Sequence, residues 1–96
     1  MLEEITTTPD GRCLRLIWCE GPETQLPADE LRRNARDATS IRELAENGVI
    51  AIADDLRITA LTEVGSYGVN VHFSDGHDRA IYPFSYLRTL SDEFGK

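Results

Sequence analysis

The sequence predicts a small α+β domain, a mostly antiparallel sheet carrying two or three short helices. Three observations lead there. The segment "RCLRLIWCEG" alternates large apolar residues with mixed ones, the pattern of a strand with one buried face. Residues 49–84 are rich in β-branched and aromatic residues and are broken by turn dipeptides. Between and after these regions lie stretches with helix caps and helical spacing, so strands and helices are segregated along the chain rather than alternating.

In chain order, "EEITTTPDGR" carries β-branched residues and then Pro9-Asp10-Gly11, a turn signature. With the strand that follows, it makes residues 3–18 a hairpin. Leu14, Leu16 and Trp18 share one face and should meet the core. "LPADELRRN" places Pro27 at a first helical turn, Asp29 and Glu30 at its positive end, and Arg32 and Arg33 toward its negative end. That is a short helix. "SIRELAENG" offers a capping box from Ser40 to Glu43, puts Ile41, Leu44 and Ala45 on one side, and stops at Gly48, which predicts a second helix.

Breaks at Asp54-Asp55, Gly65-Ser66 and Asp75-Gly76 divide the following region into three or four strands. Tyr67, Val69, Val71 and Phe73 share a face, which leaves His72 on the solvent side. Register then bears on "SDGHDRAIYPF". A two-residue Asp75-Gly76 turn would pair Val71 with Ala80 and send Ile81 to the polar face, whereas an odd loop pairs Ile81 with Val71 or Phe73. The odd loop, with His77 inside it, is the expectation. "PFSYLRTLSDEF" closes the chain as a helix that starts at Pro83 and carries Phe84, Leu87, Leu90 and Phe94 near one stripe.

Composition narrows the function classes. Ninety-six residues, 41% of them hydrophobic, suffice for one domain spanning residues 1–96, with little room for a deep cavity. Ten basic residues against seventeen acidic ones give a formal charge of -7, which disfavours nucleic acid and anionic membranes as partners. The amino terminus is acidic and lacks an apolar signal-peptide core, and no run approaches the ~20 apolar residues of a membrane span. A cytoplasmic location is expected. Cys13 and Cys19 fall on one strand, where a rise of ~3.3 Å per residue holds their Cα atoms ~20 Å apart, so reduced thiols are expected rather than a disulfide.

Chemistry has few candidates. His77 stands between Asp75 and Asp78, and a histidine beside carboxylates can act as a general base or a metal ligand. Against this, Asp-Gly is a turn dipeptide, and the chain shows no nucleophile paired with a base. It also has no C-x-x-C, H-E-x-x-H, P-loop or G-x-S-x-G pattern. Trp18 and Tyr82 are bulky groups with a polar handle, suited to a core edge or to an interface, and core edge is the favoured reading.

Taken as a set, "LRLIWCEG", "LPADELRR", "ITALTEVGSYGVNVHFSDGH" and "IYPFSYLRTL" resemble the family named for the N-terminal domain of gamma-butyrobetaine hydroxylase. The resemblance covers nearly the whole chain. In that hydroxylase, a 2-oxoglutarate oxygenase, the domain precedes the catalytic domain and holds a structural zinc through a C-x-C-x-x-C run and the histidine of Asp-Gly-His. Laid on this chain, the cysteine positions fall at Ala35, Asp37 and Ser40, and only His77 matches. Losing three thiolates from a four-coordinate site implies that no zinc of that type, and no other cofactor, is expected.

The resemblance is to the short stand-alone members of the family, and similar domains are also fused to P-loop iron-sulfur carrier proteins. It implies a non-enzymatic accessory domain that docks to a protein partner. The expected contact surface is Asp75, His77 and Asp78 with the neighbouring aromatics Tyr82 and Trp18. The alternative is zinc or iron held by His77 with Asp75, Asp78 or Asp37. An oxygenase subunit is disfavoured because His77 is not followed by an acid two residues on, where Arg79 stands.

Overall fold

The computed structural model of the protein describes residues 2–95. Its strands divide between two antiparallel three-stranded sheets, accompanied by three short helices. The first sheet comprises β1 (Leu2–Thr7), β2 (Cys13–Trp18) and β3 (Thr24–Pro27), and it is followed by α1 (Ala28–Arg33) and α2 (Ala38–Asn47). The second comprises β4 (Ile58–Val64), β5 (Gly68–Phe73) and β6 (Ala80–Pro83), and α3 (Phe84–Phe94) ends the chain. In both sheets the spatial order follows the sequence order.

The expected hairpin is present, with Thr8 N donating to Cys13 O and Gly11 N to Thr8 O across its turn. Gly11 has φ of +73° and also joins the two sheets, since its carbonyl accepts from Ile58 N at 2.7 Å. A Cβ at this position would lie 2.9 Å from Ile58 O, so both the conformation and the close approach require glycine. β3 was not expected. It is four residues long and runs straight into α1 at Pro27, so its strand character comes from pairing with β2, Leu26 against Leu14, rather than from any alternation of its own.

One core lies between the two sheets and is closed by α1 and α3. Leu14, Leu16 and Trp18 enter it from β2, Leu31 from α1, Val69, Val71 and Phe73 from β5, and Leu87 and Leu90 from α3. Tyr67 lies outside β5 and is exposed. At ~25 cal/mol per Å² of apolar surface removed from water, side chains of this size each contribute about 1.5–3 kcal/mol toward folding.

Two expectations are corrected. The first concerns the β5–β6 register, which pairs Val71 with Ala80 and Asn70 with Ile81, so Ile81 lies on the outer face and is exposed. Tyr82 decides this register: it fills the inner position, fully buried, and its hydroxyl donates to Leu31 O, a backbone carbonyl of α1. Small Ala80 fits beside it on the same inner face. The second concerns α2, whose N-cap is Asp37 rather than Ser40. The Asp37 carboxylate accepts from Ser40 N at 3.1 Å, so the capping residue lies three positions upstream and Ser40 sits inside the first turn. The Gly48 stop is as expected, in the left-handed conformation with its N–H on Leu44 O.

Cys13 and Cys19 are both thiols, as expected. Among the described residues no helix is long and apolar enough to cross a membrane.

Candidate functional site

The polar residues that the sequence scatters over more than forty positions meet around the end of α1, the start of α2 and the turn after β5. That turn is built locally. Gly76 N donates to Phe73 O, Phe73 N donates to His77 O at 2.9 Å, and His77 N donates to Asp75 Oδ1 at 2.9 Å. The imidazole is thereby aimed inward, with its ring centroid 6.5 Å from that of Phe73.

There His77 Nε2 lies 2.8 Å from Asp37 Oδ1, and both side chains are about nine-tenths buried. With the carboxylate ionised, this contact places the ring proton on Nε2. Ser40 Oγ donates to the same Asp37 oxygen at 2.8 Å and lies 3.4 Å from His77 Nε2. The cluster also contains a cation. Arg32, only 6% exposed, donates from Nη1 to Ser40 Oγ at 2.9 Å and from Nε to Asp75 Oδ2 at 3.1 Å. Burial raises the Asp37 carboxyl, but hydrogen bonds from Ser40 and His77 outweigh it and hold the group below the ordinary carboxylate range.

Ser40, His77 and Asp37 resemble a nucleophile-base-acid set by composition only. In a working triad the base meets serine with one ring nitrogen and the acid with the other. Here the serine and the aspartate meet the same nitrogen, and the Ser40 hydroxyl commits its proton to Asp37 while accepting from Arg32. Ser40 is fully buried as well.

The donor set also fits zinc poorly. Ala35 offers no ligand, Ser40 only a hydroxyl, and each oxygen of Asp37 and Asp75 already has a hydrogen-bond partner. The described residues contain no group of three or more histidine, cysteine or acidic side chains placed to hold a metal ion.

The remaining candidates separate. Tyr82 is buried, and burial raises its phenol well above the usual range while Arg32 partly opposes this. Trp18 is buried beneath the Arg88 guanidinium, 5.0 Å from the ring centroid, and donates from Nε1 to Thr24 Oγ1 at 3.2 Å. Both aromatics therefore serve the core. Asp78 remains exposed and contributes its backbone carbonyl, which accepts from Asn70 Nδ2 at 2.9 Å. Sequence reasoning missed Arg32 and Ser40. The readable signal was Asp37-x-x-Ser40 as an N-cap pair, which the competing Ser40-to-Glu43 pattern obscured.

A second feature lies along α2. Only Ser40 of its ten residues is buried, while Ile41 and Leu44, on the apolar stripe, are 54% and 49% exposed. The helix rests on the domain by a polar side and turns its apolar stripe to solvent. Val49, just past the Gly48 cap, is exposed too. Two open grooves of about 560 and 480 Å³ lie elsewhere, one along Arg36, Ile81 and Tyr86, the other along Arg12, Pro27 and Ile52.

Comparison with known proteins places these features in a family. The sequence profile described as gamma-butyrobetaine hydroxylase-like, N-terminal, matches residues 5–88. A crystal structure of a protein of unknown function from Acidithiobacillus ferrooxidans, of the DUF971 family, is similar over 93% of this chain and 90% of its own, with 27% identity and a TM-score of 0.72. A protein solved by solution NMR is similar over 96% of this chain and 69% of its own, with 25% identity and a TM-score of 0.72. A second NMR structure, at 21% identity and a TM-score of 0.70 over 97% of this chain and 73% of its own, shares the fold. No curated protein matches the chain. With the profile spanning most of its length, the chain belongs to the gamma-butyrobetaine hydroxylase-like N-terminal family, also described as DUF971.

Proposed function

We propose that this chain is a non-enzymatic accessory domain that docks to a protein partner through the outward apolar stripe of α2. The exposure of Ile41 and Leu44 on a helix seated by its polar side carries the reading. An amphipathic helix normally buries its apolar stripe, and an uncovered one is a surface suited to a partner. The family description, which names an N-terminal part of a hydroxylase-like protein, supports an accessory role. The buried Ser40 hydroxyl, with its proton committed to Asp37, supports a role without nucleophilic chemistry.

The partner segment that fits is apolar and flanked by lysine or arginine. α2 carries Glu43 and Glu46 against a single Arg42, and the chain as a whole carries -7. Complementary charge of this kind raises the association rate and selects the partner. This moves the contact surface from the Asp75–His77 turn, whose polar groups are engaged inward, to the neighbouring helix.

A photo-crosslinking side chain placed at position 41 or 44, with position 79 as control, tests this. The expected result is one adduct specific to α2. The captured protein should contain a basic-flanked apolar segment that binds as an isolated peptide, loses binding to Ile41→Glu/Leu44→Glu, and weakens as salt rises. Adducts equal at all three positions, or none at 41 and 44, would sink the reading.

A further inference from the structure

We propose that the Arg32 guanidinium is the resident cation of the Asp37, Ser40, Asp75 and His77 cluster, making it a metal-independent latch that fixes the start of α2 to α1 and to the turn after β5. Asp37 at the start of α2 and Asp75 and His77 in the turn after β5 bring two carboxylates and an imidazole, the ligand types of divalent ions, into one cluster, though not placed to share an ion. Here a permanently charged side chain, 6% exposed, already occupies the position. Its two donor nitrogens reach different segments, Nη1 to Ser40 in α2 and Nε to Asp75 in the turn, while its own backbone belongs to α1. One side chain thus crosslinks three segments, as a structural metal does.

The atoms a metal would need are committed. Asp37 Oδ1 accepts from Ser40 Oγ and pairs with His77 Nε2, Asp37 Oδ2 accepts from Ser40 N, and the two Asp75 oxygens accept from His77 N and Arg32 Nε. An incoming dication would have to break these bonds and sit beside a buried positive charge that cannot deprotonate. A cation attached by covalent bonds also cannot be removed by a chelator. Apart from Ser40, α2 buries no side chain, so this latch is what holds its first turn against the domain.

Untagged protein purified without chelator, with no partner present, gives a test independent of the docking reading. Elemental analysis is expected to find zinc and iron well below stoichiometric. Titration with Zn(II) should leave the His77 ring signals and the α2 amides in place, and EDTA should not change the melting temperature. Arg32→Met should then speed hydrogen exchange across residues 38–47 and 74–79 by roughly ten- to a hundredfold, as expected when a buried polar group loses its partner. Amides of β1 and β2 should change far less. If Arg32→Met does not fold, Asp75→Asn is the second variant, expected to loosen the same two segments to a smaller degree. Stoichiometric zinc with shifted His77 signals would overturn the proposal, and so would unchanged exchange at α2 in the folded variants.

Discussion

At the scale of single residues, Asp37 carries the clearest dependence on pH. Hydrogen bonds from Ser40 and His77 hold its pKa below the ordinary value in the folded protein. The unfolded chain therefore binds the proton more readily as pH falls. The stability Asp37 supplies is complete above an unfolded pKa of ~4 and is lost as pH drops through the lowered folded value. Urea unfolding of wild type and Asp37→Asn between pH 7 and 2.5 should show a gap that closes below about pH 4. A gap that does not change with pH would mean the carboxylate is not ionised in the folded state. Tyr82 offers a second residue-scale test. Tyr82→Phe leaves Leu31 O, inside α1, with only its bond from Asn34 N, and the expected loss is about 0.5–1.5 kcal/mol by denaturant unfolding.

Among the elements, α2 and α3 should respond in opposite ways to loss of apolar residues. Leu87 of α3 is fully buried, so Leu87→Ala should cost about 2–5 kcal/mol. Ile41→Ser and Leu44→Ser remove exposed side chains from α2 and should change stability by no more than about 0.5 kcal/mol each. A large loss from either α2 variant would show the stripe packed in solution. The same contrast explains what the sequence could convey. β2, β5 and α3 were legible because their apolar spacing matches the face they bury. The stripe of α2 was equally legible as a pattern, yet spacing does not say which side of a helix faces inward. β3 escaped because four residues ending in proline carry no period. The Ile81 register failed because apolarity was weighed without Tyr82, whose size and hydroxyl bond fix the inner position.

For the whole molecule, the charge of -7 sets expectations for association. Binding of a basic-flanked segment should slow as ionic strength rises from about 0.05 to 0.5 M, with a smaller change in the dissociation rate, as stopped-flow mixing would show. The latch also belongs to this scale. His77 and Asp37 are forty residues apart and Arg32 and Asp75 forty-three, and no local pattern announces such meetings. His77 could be singled out from the sequence, but its partners emerge only once α1, α2 and the second sheet are assembled.

The sequential strand order of both sheets bears on how the chain reaches this state. Every strand pairs with its neighbour in sequence, so each sheet can zip from its own turns without a long loop first being closed. A distant stitch between them is Gly11 O to Ile58 N, joining residues 47 positions apart, with Arg57 Nη1 donating to Asp10 O beside it. If the sheets form early and dock late, Gly11→Ala should steepen none of the folding limb but raise the unfolding rate, placing a low φ-value at that joint. Refolding slowed in proportion to the lost stability would instead make the stitch part of the nucleus.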